Sequence, residues 1–96
     1  MTVESTFGIA GLLGWPVAHS RSPVIHNHWL AQHRIPGRYV LFPVPPEKLE
    51  AAVRGIATLG LRGLNITHPF KQDIIEHLDE LSEEAQAIGA VNTVVF

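Results

Sequence analysis

The chain has 96 residues, of which 46% are hydrophobic and 17% charged, with 7 basic against 9 acidic side chains and a formal net charge of −2. This composition predicts one folded domain rather than disorder, and the absence of any lysine or arginine run argues against nucleic-acid binding and a polybasic membrane patch. Cysteines are absent, no apolar run approaches the ~20 residues of a membrane span, and Glu4 is atypical of a signal peptide, so we expect no disulfide, no membrane partner and a cytoplasmic location.

Regular structure begins with an apolar strand followed by a helix. Residues 7–14 form an apolar run without a polar face, which indicates a strand covered on both sides. Its glycines have the spacing G-x-x-G-x-x-G rather than G-x-G-x-x-G, so the run does not predict a nucleotide site. Ser22 and Pro23 then indicate a helix start with the serine as N-cap. One face of this helix carries Ile25, Trp29 and His33.

A second strand, a second helix and a third strand follow. Residues 38–44 predict a strand in which Pro43 indicates a position at the edge of the sheet. Pro45 and Pro46 open a helix with a regular apolar stripe. The stripe contains Leu49, Val53, Ile56 and Leu59, which Gly60 follows. Residues 61–68 predict a third strand, which ends in polar residues.

The last third of the chain predicts two helices and a final strand. A helix from Pro69 carries an apolar stripe formed by Phe70, Ile74, Leu78 and Leu81. Ser82 caps a short fourth helix that Gly89 closes, and residues 90–96 predict a strand. The order β-α-β-α-β-α-α-β predicts an α/β fold, an open, mainly parallel twisted sheet with helices on both faces in three layers.

Polar residues recur where the carboxyl ends of parallel strands meet, and ligands bind there in such sheets. Ser20 and Ser22 follow the first strand, and two hydroxyls beside the free N–H groups of a helix start favour a carboxylate. N-capping explains Ser22 alone equally well, whereas Ser20 has no such structural explanation. Asn65 and Thr67 point to one face of a strand and suit ring hydroxyls, although strand-end turn chemistry explains them about as well.

Lys71 is the most informative single residue, because the field at a helix start disfavours lysine. That field and partial burial favour the neutral amine, which suits a lysine that transfers a proton; a solvated surface lysine is the alternative. Asn92, in the last strand, is explained without a ligand by buried hydrogen bonding. Six histidines show no recognisable metal-ligand spacing, so no metal is expected. They are His19, His26, His28, His33, His68 and His77.

Three segments together resemble the amino-terminal, substrate-binding domain of shikimate dehydrogenases. They are G-W-P-V-A-H-S-R-S-P-V-I-H-N, G-L-N-I-T-H-P-F-K and A-I-G-A-V-N-T, in the family's order and spacing. The resemblance implies oxidoreduction between shikimate and 3-dehydroshikimate with NADP, in the biosynthesis of aromatic amino acids. By motif position, Ser20 and Ser22 would bind the substrate carboxylate and Lys71 would be the catalytic lysine. Ring hydroxyls would bind Asn65, Thr67 and Asn92.

The chain departs from the family at its end. Phe96 precedes the N-T-D-G segment that holds the family's catalytic aspartate, and the nicotinamide-binding domain and the returning carboxy-terminal helix region are absent. We therefore expect residues 1–96 to be the substrate-binding domain alone, which binds shikimate or 3-dehydroshikimate weakly and turns nothing over. We also expect an exposed sheet edge through which copies associate or exchange strands.

Two alternatives stay open at this point. The first is a domain of a quinate/shikimate dehydrogenase, although serine at both Ser20 and Ser22 favours shikimate. The second is a non-catalytic module that senses a ligand of the shikimate pathway. The choice between NADP and NAD depends on residues that these 96 do not include.

Overall fold

The computed structural model describes residues 7–96; residues 1–6, including Glu4 and the segment assessed for a signal peptide, lie outside the described residues. The strands in this part of the chain are β1 (Gly8–Gly14), β2 (Gly37–Pro43), β3 (Gly63–Ile66) and β4 (Thr93–Val95). The α-helices are α1 (Ser22–Gln32), α2 (Leu49–Leu59), α3 (Phe70–Asp73) and α4 (Glu83–Ile88). Two 3-10 helices, Pro46–Lys48 and Ile74–His77, precede α2 and follow α3.

The four strands form one sheet in the order β2-β1-β3-β4. β1 pairs in parallel with β2 and with β3, while β4 runs antiparallel to β3. The predicted α/β fold with an open, mainly parallel sheet is confirmed. β2 lies at an edge of this sheet, and Pro43 ends it where an edge position was expected. Because β4 is antiparallel, its first residues lie beside the carboxyl end of β3.

One face of the sheet carries the hydrophobic core. Side chains alternate between the two faces of a strand, so Leu13, Leu64 and Val94 share this face. α2 packs against it with most of the apolar stripe expected from the sequence: Leu49, Val53 and Ile56 are buried, whereas Leu59 is 78% exposed. The core comprises Leu13, Leu49, Val53, Ile56, Leu61, Leu64, Ile66, Phe70, Ile74, Val91 and Val94.

α1 packs on the opposite face and holds the edge strand β2. The Asn27 side chain accepts a hydrogen bond from Tyr39 N (2.8 Å) and donates one to Tyr39 O (3.0 Å). The His26 ring stacks on the Tyr39 ring with centroids 4.1 Å apart and planes 10° apart. Asn27 therefore forms hydrogen bonds with the backbone N–H and C=O of Tyr39, groups that have no strand partner on the outer side of an edge strand. With α2 on the other face, the helices lie on both sides of the sheet.

The apolar face expected for α1 is not buried. Ile25 is 47% exposed and Trp29 is 51% exposed, and His33 is exposed as well. The helix instead turns His26 and Asn27 towards β2, because these side chains make the stacking and hydrogen-bond contacts with Tyr39. The three residues that the sequence placed on one face of α1 thus stay accessible, and Trp29 and His33 line a cleft with Tyr39 and Asn65.

The helix expected from Pro69 to Leu81 is much shorter. α3 has four residues and continues as the 3-10 helix Ile74–His77, after which Leu78 has extended backbone (φ −107°, ψ 147°). Phe70 and Ile74 are fully buried, and Leu78 and Leu81 pack against the same core. The apolar spacing thus predicted which residues are buried, but burial of Leu78 and Leu81 does not require a continuous helix.

The last helix forms as predicted. The Ser82 hydroxyl accepts a hydrogen bond from Ala85 N (3.0 Å), and Gly89 ends α4 in the left-handed region at φ 75°. Among residues 7–96, no helix has the length and apolar character that crossing a bilayer requires.

Candidate functional site

The ends of β1 and β3 meet the start of β4 at one rim of the sheet. This carboxyl rim comprises residues 14–22, 67–71 and 91–93. Thr67 N donates to Leu13 O (2.9 Å) and Trp15 N donates to His68 O (3.0 Å), which joins the first segment to the second. Ile66 N donates to Asn92 O (2.8 Å) and Val91 N donates to Lys71 O (2.7 Å), which joins the third. Backbone hydrogen bonds therefore hold together the three segments that carry the sequence motifs.

Gly14 allows the loop after β1 to lie against β3. A Cβ atom on Gly14 would lie 2.4 Å from Thr67 Cγ2 and 2.6 Å from Val17 Cγ1. The Val17 carbonyl in turn accepts a hydrogen bond from Ser20 N (3.0 Å). The loop that carries Ser20 is thus fixed next to Thr67 because residue 14 has no side chain.

Ser20 has a structural role that the sequence did not indicate. Its Oγ accepts a hydrogen bond from the backbone N–H of Ser22 (3.2 Å), which is the first residue of α1. The N-cap position belongs to Arg21, whose side chain makes no capping hydrogen bond. The expectation that Ser22 is the N-cap is therefore wrong, and Ser20 satisfies a free N–H of the helix start. A hydroxyl that accepts through its oxygen keeps its hydrogen for donation. Both serines are half-buried.

Lys71 and Asn92 lie in two rim segments that the Val91 N–Lys71 O hydrogen bond joins, and both residues are exposed. The partial burial expected for Lys71 is wrong, because α3 directs the preceding residue, Phe70, into the core and leaves Lys71 on the outside. The interpretation of Asn92 as a buried hydrogen-bonding residue is also wrong. Its backbone carbonyl bonds Ile66 N, and its side chain lies at the surface.

Asn65 lies one step back from the rim, and its side chain contacts two residues that sequence analysis missed. Its Oδ1 accepts a hydrogen bond from the Tyr39 hydroxyl (2.8 Å), and its Nδ2 donates to Thr93 Oγ1 (3.2 Å). Asn65 and Thr93 face each other across the β3–β4 pair. No local signal predicts these contacts, since they depend on the strand order and on the antiparallel register. His26 is half-buried, and its ring stacks on the ring of Tyr39.

Burial affects the chemistry of Tyr39 directly. The residue is 5% exposed, and this burial raises the pKa of the Tyr39 phenol above its ordinary value of 10.0, because the anion loses hydration. The hydroxyl therefore keeps its proton at neutral pH and remains a hydrogen-bond donor to Asn65.

The glycines of β1 do not form a dinucleotide-binding loop. Gly8, Gly11 and Gly14 lie within β1 rather than in a loop at a helix start, and the sites where their Cβ atoms would stand are occupied. Side chains of Arg62, Phe42 and Thr67 take up that space, respectively. These glycines serve packing within the domain and not the approach of a pyrophosphate. Within residues 7–96, no group of three or more His, Cys, Asp or Glu side chains is arranged to hold a metal ion.

Comparisons with known proteins agree on one group of relatives. The family model of the shikimate dehydrogenase substrate binding domain matches residues 12–94. The shikimate dehydrogenase (NADP(+)) of Rhodospirillum rubrum is 52% identical over 87 residues, which make up 91% of this chain and 31% of that protein.

Two solved structures extend this likeness to the fold. The shikimate 5-dehydrogenase of Listeria monocytogenes, in complex with shikimate and NAD, is 37% identical with a TM-score of 0.90, over 99% of this chain and 33% of that chain. The shikimate 5-dehydrogenase of Thermus thermophilus, in complex with NADP(H) and shikimate, is 41% identical with a TM-score of 0.87, over 92% and 33%. The chain thus spans about a third of the length of the relatives it matches.

Proposed function

Because this chain belongs to the family of shikimate dehydrogenase substrate-binding domains, we propose that it binds the substrate of an NADP-dependent oxidoreductase that interconverts shikimate and 3-dehydroshikimate in aromatic amino acid biosynthesis. The family that the three motifs indicated is confirmed by the match over residues 12–94. The observation that carries the proposal is the carboxyl rim, where backbone hydrogen bonds join all three motif segments. A polyhydroxy acid needs donors and acceptors from several directions, and such a rim offers them.

The carboxylate of the substrate is proposed to bind Ser20 and Ser22. Both hydroxyls are half-buried at the start of α1, where free N–H groups and the helix field favour an anion. Ser20 Oγ already accepts from Ser22 N, so its O–H hydrogen is directed elsewhere and is available to a carboxylate oxygen.

The ring hydroxyls are proposed to bind Asn65, Thr67 and Asn92. Amide and hydroxyl groups suit this task because each can donate and accept at once. Asn92 is exposed beside Lys71, and Thr67 is half-buried next to Gly14. These positions support a ligand that lies along the rim from the start of α1 towards β4.

Lys71 is proposed to be the catalytic lysine. Its Nζ would bond the hydroxyl on the reacting carbon and take up the proton as the C–O–H group becomes C=O, and would return it in the reverse direction. NADP(+) supplies the hydride acceptor when it is bound. We assign its site to the two thirds of the relatives' length that this chain does not span, because the glycines of β1 do not form a dinucleotide-binding loop.

Residues 1–96 are accordingly proposed to act as a substrate-binding domain that binds shikimate weakly and does not turn it over alone. Titration of the ¹⁵N-labelled chain with shikimate tests this, and chemical-shift changes should centre on the carboxyl rim. Lys71→Ala should weaken binding, whereas Lys48→Ala, in the 3-10 helix before α2, should not. Shifts spread evenly over the chain, or equal effects of the two lysine variants, would refute the assignment.

The same titration separates the alternatives. Quinate carries an extra hydroxyl on the carbon that bears the carboxylate, next to the proposed Ser20 contact, so shikimate is expected to bind more tightly. Tighter binding of quinate would assign the quinate/shikimate enzyme. Unchanged affinity in Lys71→Ala would favour a module that only senses the ligand. Turnover of shikimate with NADP or NAD by this chain would contradict the proposal that it binds the substrate without a cofactor site of its own.

Self-association through β4 is a further part of the proposal. β4 is the outer strand of the described sheet, with Val95 82% exposed and Phe96 43% exposed. An exposed apolar edge favours pairing with a second copy or strand exchange. Light scattering should detect oligomers that Val95→Lys reduces and that Val24→Lys, 63% exposed on α1, leaves unchanged. A monomer at high concentration would contradict this. A cytoplasmic location is also proposed, on the basis of the family's part in aromatic amino acid biosynthesis, and cell fractionation tests it.

A further inference from the structure

Tyr39 reaches across the sheet from the edge strand to Asn65. Ala10 of β1 pairs with Tyr39 on one side and with Gly63 of β3 on the other, so the three residues form one row on the α1 face. Neighbouring strands lie ~4.8 Å apart, and the phenol must cross β1 to approach β3. The small side chain of Ala10 and the absence of one at Gly63 leave this path open. The Tyr39 hydroxyl ends 2.8 Å from Asn65 Oδ1.

The surroundings of Tyr39 hold it in this position. Asn27 bonds both its backbone N–H and its carbonyl, and the His26 ring covers its aromatic face. A buried phenol hydroxyl requires a hydrogen-bond partner, and Asn65 provides it. Since the phenol remains protonated at neutral pH, the hydroxyl acts as a steady donor.

Two anchors use half of the hydrogen-bonding capacity of Asn65. A side-chain amide has two N–H donors and an oxygen with two lone pairs. Tyr39 occupies one lone pair, and Thr93 Oγ1 accepts one N–H at 3.2 Å. One donor and one acceptor remain, which matches the needs of one alcohol group. The terminal torsion of asparagine is broad and roughly two-fold, so an amide without these anchors would present either of its ends to a ligand.

We propose that Tyr39, together with Thr93, is a positioning residue that fixes the Asn65 amide for one ring hydroxyl of a cyclic polyol. This inference rests on the proposed function for the identity of the ligand. The inference gives Tyr39 an indirect part in substrate specificity, exerted through Asn65, although the two residues lie two strands apart.

A double-mutant cycle measures whether Tyr39 acts through Asn65. Tyr39→Phe keeps the ring that stacks on His26 and removes only the hydroxyl. It should weaken shikimate binding by about three- to tenfold, the value of one ordinary hydrogen bond. In the Asn65→Ala background the same change should cause no further loss. A loss of equal size in both backgrounds would overturn the proposal, because a merely structural role does not depend on Asn65.

A matched control removes a hydroxyl elsewhere. Thr58 Oγ1 donates to Arg54 O (2.8 Å) on the exposed side of α2, and Thr58→Val should leave shikimate affinity unchanged. Thermal unfolding of each variant identifies any change that acts through stability instead.

The ligand-free chain provides a second readout. The side-chain NH₂ signals of Asn65 should lie at different chemical shifts in Tyr39→Phe and in the unsubstituted chain. Relaxation measurements should show that the Asn65 side chain reorients faster in Tyr39→Phe. Unchanged signals would overturn the positioning role whatever the chain binds. Changed signals in a chain that does not bind shikimate would refute the proposed function alone, so the two failures are distinguishable.

Discussion

Replacing Gly14 by alanine is expected to loosen the carboxyl rim. Gly14 is the last residue of β1, and the added methyl carbon would lie 2.4 Å from Thr67 Cγ2, 2.6 Å from Val17 Cγ1 and 3.0 Å from the His68 carbonyl oxygen. Carbon atoms in contact normally lie ~3.5–4.0 Å apart, so Thr67 and Val17 must each move by about 1 Å. Thr67 and Val17 are β-branched and stiff about χ1, so they cannot rotate away at little cost.

The expected loss of stability follows from this crowding. Methyl groups forced into a filled site typically cost about 1–3 kcal/mol. Gly14 does not have a positive φ, so the effect is steric and not a matter of backbone strain. The displacement also separates the Ser20 loop from Thr67, and we expect shikimate binding by the folded fraction to weaken as well.

Gly55→Ala provides the matched control. Gly55 lies inside α2, and nothing lies within 4 Å of the position its Cβ would take. Alanine there should stabilise the chain by about 0.5–1 kcal/mol, because it reduces the entropy lost on folding. Urea unfolding followed by far-ultraviolet circular dichroism measures both variants. Stability of Gly14→Ala equal to or above that of the unsubstituted chain, with Gly55→Ala behaving as stated, would refute the packing argument for the rim.

Three further predictions concern stability. Asn27→Ala removes both side-chain hydrogen bonds to the Tyr39 backbone and should destabilise the chain by about 1–3 kcal/mol in urea unfolding. Asn27→Asp keeps the acceptor and should therefore have a stability between those of Asn27→Ala and the unsubstituted chain. An unchanged midpoint in Asn27→Ala would contradict the role of Asn27 in holding β2. Because burial raises the folded-state pKa of Tyr39, the unfolded chain loses the phenol proton first as pH rises past 10.0, and the free energy of unfolding should fall above that pH. This decrease should be smaller in Tyr39→Phe, which has no phenol proton to lose. The same pH dependence of stability in both proteins would refute the assigned burial of the phenol. Phe70→Ala, at a fully buried position, should cost about 3–5 kcal/mol, whereas Phe7→Ala, at a position 49% exposed, should change the melting temperature little. Equal melting temperatures of these two variants would contradict the assigned core.

The sequence by itself determined the order of the elements, the fold class and the family. Hydrophobic periodicity along α2 predicted its buried residues except at Leu59, which is exposed, and Ser82 and Gly89 correctly marked the ends of α4. These signals are local, since caps and amphipathic stripes depend on residues a few positions apart. The motif segments around Ser20, Thr67 and Asn92 likewise needed no structure to be recognised.

Only the tertiary structure decided which side chains work together. Asn27 of α1 bonds the backbone of β2, an edge strand of the described sheet whose outer N–H and C=O groups have no strand partner, and nothing in the helix pattern singled out this residue. Tyr39 bonds Asn65 across 26 positions of sequence, and Thr93 faces Asn65 through an antiparallel register. Strand order and register arise when distant segments pair. The hydrophobic periodicity of a single helix or strand contains no information on either, so the sequence alone could not predict these contacts.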